Sequence, residues 1–317
     1  MNHPPDPFQV QFAARWGHLR HPHVRALAWL LGAPDLLDAQ APPWQGKITT
    51  LGPMLDATAA WLEGLEREPA VLDAALGARV FTRLGLYAEA LMAFYFRAQG
   101  SLVAHGLQVR AARNDTVGEF DFLLDAANGA LEHIEFATKF YLHAGAGGAT
   151  GIDALVGPNL ADTLSAKMRK ILEQQLALGK HPAAQALLAR PVARAGALVK
   201  GWLFYRAGQD GALAGIAPAH CRGFWCTLDE FAAEQGEYWL QVPRLAWLAP
   251  YGAAPQDADA VLARAALQRQ LAERFASAPL PVLVAQVRQD ARGVCEERRG
   301  FVVPPDWPAR ACAYRSP

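Results

Sequence analysis

Cysteine, net charge and long apolar runs are all scarce or missing in this chain, and each lack narrows what it can be. Four cysteines in 317 residues (Cys221, Cys226, Cys295 and Cys312) are too few and too irregularly spaced for a disulfide scaffold, and suit a reducing compartment. His220-Cys221 with Cys226 could form half of a zinc site, but no second pair at ligand spacing follows, so ordinary thiols are expected. No stretch approaches the roughly 20 apolar residues of a membrane span, and MNHPPDPFQVQFAARWGHLRHP at the N-terminus holds no run of signal length. The expectation is a soluble cytoplasmic protein with no membrane partner. Thirty basic residues balance thirty acidic ones, so any polyanion must be met by a local patch and not by the whole molecule. No internal repeat is visible, no G-x-S-x-G elbow occurs and the nine histidines do not cluster, which argues against a Ser/His/Asp hydrolase.

What is present is a globular composition, 52% apolar and 19% charged, enough for one large core or two modest ones. Helical spacing runs through residues 22–38 as far as Pro34, then through about 55–66 and 70–77. A long and nearly all-round apolar helix is expected over 79–100, ended by Gly100. The period then shortens to that of strands in LQVRAARN, EFDFLLD and ALEHIEFATKFYL. A glycine-rich connection follows, with Gly145, Gly147, Gly148 and Gly151. It lacks both dinucleotide spacing and a Lys-Ser/Thr ending, so it reads as a mobile connection, whose position after Lys139 suits a substrate-side flap. Next come an amphipathic helix in NLADTLSAKMRKILEQQLALG, closed by Gly179, and a buried strand in GALVKGWLFYRA. Beyond residue 210, strand-like pieces surround a helix at about 257–276.

The charges inside the second and third strands carry the functional argument. Alternation places Glu119, Asp121 and Leu123 on one face of the first of these, and Phe120, Phe122 and Leu124 on the other. In the next, His133, Glu135, Ala137, Lys139 and Tyr141 share a polar face opposite Ile134, Phe136, Phe140 and Leu142. A three-residue turn at Ala127-Asn128-Gly129, with Gly129 left-handed, would pair Asp121 with Glu135 on one face. Neighbouring carboxylates repel unless a proton or cation lies between them. Either this face is solvated and Lys139 offsets the acids, or the acids hold a magnesium ion and Lys139 holds a water or phosphate oxygen. Glu89, alone in the apolar helix, also needs a partner, which could be Arg83, Arg97 or a metal.

Between Lys139 and Arg206 nine Lys/Arg face three acids, an excess of six on a neutral chain. Lys167, Lys170 and Gln174 recur at helical spacing away from the apolar stripe. They form either a solvated face or one that tracks a phosphate backbone.

A helix with Glu89, a strand with Asp121, a following strand with Glu135 and Lys139 and then a Lys/Gln-bearing helix together resemble the PD-(D/E)XK, or restriction-endonuclease-like, nuclease superfamily. HVRALAWLL, RLGLYAEALMAFYF, GEFDFLL, HIEFATKFYL, GPNLADTLSAKMRKILEQQLAL and RLAWLAP further resemble a bacterial family catalogued as domain of unknown function 1853. The first likeness covers about residues 80–205, the second about 10–310. The resemblance implies an α/β fold with a mixed sheet flanked by helices. Residues 1–78 would form an N-terminal helical region, 79–206 the nuclease-like core and 207–317 an α+β extension packed on it. It implies Asp121 and Glu135 as ligands for Mg2+ (or Mn2+), Lys139 assisting attack by water, and Glu89 as a further ligand or support. The implied activity is a nuclease on DNA in preference to RNA; the alternative is a catalytically silent protein binding nucleic acid or another partner. The acid-x-x-x-Lys spacing departs from the superfamily's acid-x-Lys. It separates Glu135 and Lys139 by roughly 13 Å of strand, unless a bulge shortens it.

Overall fold

The fold, seen in a computed structural model, is described for residues 7–112, 115–126, 128–145, 151–209 and 212–314. Five helices come first: α1 (Pro7–Trp16), α2 (Pro22–Gly32), α3 (Asp56–Arg67), α4 (Ala70–Leu76) and α5 (Leu84–Ala98). Then follow β1 (Leu102–Ala112), β2 (Asp115–Asp125), β3 (Leu131–His143) and β4 (Leu155–Val156). α6 (Leu164–Glu173) runs into a 3-10 segment, Gln175–Lys180, ahead of α7 (Pro182–Leu187) and β5 (Val192–Tyr205). The remainder holds β6 (Cys221–Thr227), α8 (Leu228–Phe231), β7 (Tyr238–Gln241), β8 (Gly252–Ala253), β9 (Leu262–Ala263), α9 (Arg264–Ser277), β10 (Val282–Asp290), β11 (Gly293–Val303) and α10 (Trp307–Ala313).

The strands form one eleven-stranded mixed sheet in the order β1-β2-β3-β5-β6-β11-β10-β7-β9, with β4 on β3 and β8 on β11. The central strands β3, β5, β6 and β11 are parallel neighbours, and the antiparallel pairs lie outside them. Parallel strands need both faces covered, and here both are. On one face α1 to α5 bury Trp29, Leu91 and Phe96 against Phe122, Phe136, Leu198, Trp202 and Phe301. On the other, α6 packs Leu164, Met168 and Ile171 on Ala137, Tyr141, Val199 and Leu203. That second face continues under α9, where Leu267, Leu271 and Phe275 meet Val284 and Val302.

The mixed α/β class and the main elements match the sequence, and three points near the site call for comment. The apolar helix expected from residue 79 starts at Leu84, because Arg83 is extended (φ −115, ψ 122) and serves as its N-cap. It does end at a left-handed Gly100 (φ 70). The amphipathic helix is closed earlier than Gly179: α6 stops at Glu173, and the chain tightens into the 3-10 segment. Third, of the two readings left open for the polar face of β3, the solvated one does not hold. His133 (0%) and Glu135 (3%) are buried, because α6 and the 3-10 segment lie over them.

Close approach of β3 and β5 sets a sharp requirement at Gly201, opposite Lys139. A Cβ there would overlap the Lys139 carbonyl oxygen, whereas one at Gly64, inside α3, would meet nothing closer than 4.0 Å. Gly64→Ala should therefore stabilise by about 0.5–1 kcal/mol, the usual helix-interior difference. Gly201→Ala should cost about 2–3 kcal/mol or prevent folding. Thermal melts of the two variants give opposite signs if this packing is right.

Candidate metal centre

The turn before β3 fixes where the acids meet. Ala127 lies outside the described residues, but the bonds around it close a three-residue loop. Ala126 N–H donates to Ala130 at 2.9 Å, and Gly129 is left-handed at φ 76. The resulting ladder pairs Phe122 with Ile134, Leu123 with His133 and Asp125 with Leu131. The same register carried one step further sets Asp121 opposite Glu135. There the ladder stops, and the Phe136 N–H donates to the Asp121 carboxylate at 2.9 Å.

Strand β2 also turns over at this point. Phe120 packs edge-on against His133 and joins Val109, Leu123, Leu131 and Leu178, while Phe122 packs with Phe96 and Phe136. The expectation that Phe120 and Phe122 share a face is therefore overturned. On β1 the register brackets the irregularity between Leu107↔Phe120 and His105↔Phe122, with a left-handed Gly106 (φ 63) between them. A strand that turns over at one residue can present acids to both sides of the sheet.

Glu89, Glu119 and Asp121 each bring a carboxylate oxygen within 4.8 Å of the others. Glu89 on α5 is paired with neither Arg83 nor Arg97. Its carboxylate meets His105 Nε2 at 2.8 Å, and the His105 ring is stacked on Phe122. Glu135 stands on Asp121's other flank. It accepts a hydrogen bond from the Gln175 amide, and its Oε2 lies 3.6 Å from His133 Nε2. Three residues of this constellation, Glu119, His105 and Gln175, escaped the sequence reading. The alternation rule did put Glu119 on Asp121's face, but only the turned-over strand brings it to Glu89.

Burial and mutual repulsion push both central carboxyls upward. For Asp121 desolvation comes first, then the charges of Glu135 and Glu89, against the Phe136 N–H, which favours ionisation; the result is about 8. For Glu135 desolvation again dominates, partly offset by its bond to Asp121 and by Lys167 and Lys139, leaving about 7. Without a cation the pair shares a proton near neutrality. His133 is pushed down to about 4 by burial and is neutral. Glu135 Oε2, Gln175 Oε1 and both His133 ring nitrogens are buried without a hydrogen-bond partner. Unsatisfied atoms grouped in this way mark room for an ion or a water.

Lys139 shares β3's face with Glu135 but stands apart from it. From Glu132 to Leu142 the β3–β5 register advances without a shift, so no bulge shortens the step from Glu135. Four residues at about 3.3 Å each leave roughly 13 Å along the strand. Burial and the neighbouring Lys167 bring the Lys139 ammonium down to about 8, against Asp162, Glu135 and Asp121. Lys167 is half-buried toward these groups, while Lys170 and Gln174 are exposed. Gln175, not Gln174, is the glutamine that reaches the acids.

The nine cations counted between Lys139 and Arg206 do not gather here. Lys200 is buried against Asp35 at 2.7 Å, Arg190 pairs with Asp125 and Arg206 with Glu230. The thiols are free, Cys221 is buried, and His220 bonds Tyr205 and the Ala217 carbonyl, so no zinc half-site forms. Of the glycine-rich flap, residues 146–150 lie outside the described residues.

A native carboxyl pair that holds its proton more tightly than the unfolded chain, whose carboxyls titrate near 4, makes stability fall as pH rises. In metal-free protein the contribution is complete below about pH 4 and disappears as pH passes 7 to 8. Melting temperature in chelator should fall over that range, and Asp121→Asn, which cannot ionise, should flatten the fall. Parallel curves for the two proteins would contradict the shared proton.

No helix of the described residues is long and apolar enough to cross a membrane. No curated protein and no solved structure matches the chain. One sequence family does, over residues 25–303, a span that contains every acid and lysine of the centre. The chain belongs to that family, the Domain of unknown function (DUF1853).

Proposed function

We propose that the protein is a magnesium- or manganese-dependent phosphodiesterase acting on nucleic acid, DNA in preference to RNA, built on a restriction-endonuclease-like core. One observation carries the reading: Glu89 from a helix and Glu119 and Asp121 from a strand converge to 4.8 Å, with Glu135 beside them. Oxygens this close favour a cation between them, and an all-oxygen set suits a hard divalent ion. The buried, unpartnered Glu135 Oε2 fits the same ion or a water bound to it.

Glu89, Glu119 and Asp121 would hold the metal, with Glu135 as a further ligand or the holder of a bound water. Such an ion supplies Lewis-acid polarisation of the phosphodiester and a more acidic water. The chain's own groups do the positioning. The Phe136 N–H orients Asp121, Gln175 orients Glu135, and His105 steadies Glu89. Lys139, four residues along the strand from Glu135, is assigned to a phosphate oxygen.

The uninterrupted acid-x-x-x-Lys register favours a second reading, a silent descendant of the fold that binds nucleic acid or a partner without cutting. Cleavage of labelled oligonucleotides with Mg2+ or Mn2+ decides between them. The phosphodiesterase reading expects turnover that Asp121→Asn lowers by about 10²-fold or more, and a metal-induced rise in melting temperature that the same variant abolishes. Absence of cleavage with either metal leaves the silent reading.

Binding itself tests the α6 face. Lys167→Ala with Lys170→Ala should weaken a single-stranded oligonucleotide and reduce the slope of log K against log salt by about 1.4, at 0.7 per lost contact. An unchanged slope would make these lysines ordinary surface residues.

A further inference from the structure

Lys139 lines a cleft of about 270 Å³ that is separate from the acid cluster. Its walls are the start of α5, with Arg83, Leu84 and Gly85; the loop from Gly157 to Asp162; and Arg244. Three cations and one acid, Asp162, line it, and that acid already accepts the Tyr141 hydroxyl at 3.0 Å. Arg244 is held by stacking on Trp247, 4.7 Å from the ring centroid. Among the described residues no carboxylate is ion-paired with Arg83, Lys139 or Arg244.

The backbone around the cleft favours an anion as well. α5 begins with no acid in its first turn and no side-chain cap on its first N–H groups. A fifteen-residue helix left in that state presents partial positive charge at its start. In the facing loop Leu160 is left-handed (φ 52), a conformation that a non-glycine residue rarely adopts. The loop is nevertheless tied down. Gly157 N–H donates to Asp162 at 2.9 Å, and the Trp307 indole donates to Pro158 at 2.8 Å. A rigid wall, a bare helix start and three cations against the single acid Asp162 leave the cleft with an excess of positive charge.

We propose that this cleft, ringed by Arg83, Lys139 and Arg244, is a phosphate-binding subsite. The reading rests on the proposed phosphodiesterase for the source of the phosphate, though not for the affinity of the cleft. Roughly 13 Å of β3 lies between Lys139 and Glu135, about four stacked nucleotides at 3.4 Å each. A strand cut at the acids would therefore place a phosphate in the cleft a few nucleotides away. The lysine displaced from the usual spacing has an employment there: it grips substrate at a distance from the reacting bond.

The test uses the full chain in chelator, with inorganic phosphate followed by calorimetry and thermal shift. Phosphate should bind, and Arg83→Gln, Arg244→Gln and Lys139→Met should each weaken it about tenfold, the value of one charge-assisted hydrogen bond. The two arginines are exposed, so their variants keep the fold even if Lys139→Met does not. Single-stranded oligonucleotides carrying a 5′-phosphate, a 3′-phosphate or neither then identify the source. Preference for one phosphorylated end, lost in Arg83→Gln, assigns a terminal phosphate; equal affinity for all three, weakened in the variants, assigns an internal one. No phosphate binding, or binding unaltered in the arginine variants, overturns the subsite. Phosphate binding without metal-dependent cleavage keeps the subsite and removes the phosphodiesterase.

Discussion

The Phe136 N–H is satisfied by the Asp121 carboxylate where a neighbouring strand's carbonyl would otherwise serve, and the site depends on that exchange. A buried N–H left unpaired costs about 1–3 kcal/mol, so β2 can leave the ladder only if a side chain replaces it. Asp121 does so, and the strand turns over around it, sending Phe120 to one layer and Phe122 to the other. Glu119 and Asp121, which a regular strand would aim at Glu135's face alone, then meet Glu89 at the seam as well. Glu89 arrives from the α5 side, and Glu135 lies on the side covered by the 3-10 segment.

Electrostatics makes this seam unstable in isolation and useful in company. Removing the carboxylates from water favours their neutral forms, and crowding adds to it, so a proton occupies the place that a divalent ion could take. Two of the lysines on these strands are held elsewhere. Lys200 lies on the opposite face with Asp35, and Lys139 is carried along β3 into its own cleft. Lys167 influences both Glu135 and Lys139 from α6, so acids and lysines form one field with two poles.

The C-terminal strands contribute by continuing the sheet. β6 pairs in parallel with both β5 and β11, so the sheet carrying the acids is not left with an open edge beside β5. Within that part Arg299 and Glu296 form a fully buried pair, bonded also to the carbonyls of Trp247 and Ala249 and to the Tyr251 N–H. Such a pair is tolerated in a core because every polar atom finds a partner. Arg244 and Trp247, which line the phosphate cleft, come from the same region.

The sequence by itself determined the strand and helix periods, the three-residue turn and hence the register that opposes Asp121 to Glu135. These are local matters, governed by side-chain alternation and by a glycine that alone tolerates φ 76 comfortably. It also contained the unusual acid–lysine spacing, which the unbroken β3–β5 register preserves. Tertiary structure decided the rest. Whether a polar face is wet depends on what packs over it, and α6 with its 3-10 extension buries the face that alternation alone would leave to solvent. Glu119 and Asp121 meet Glu89 only because β2 turns over opposite Gly106, a departure from period two that no alternation pattern encodes. Gln175 reaches Glu135 because α6 ends at Glu173 and the chain tightens, shifting every later side chain around the axis. Lys200, Arg190 and Arg206 spread apart because each pairs with an acid brought near by the fold and not by the chain.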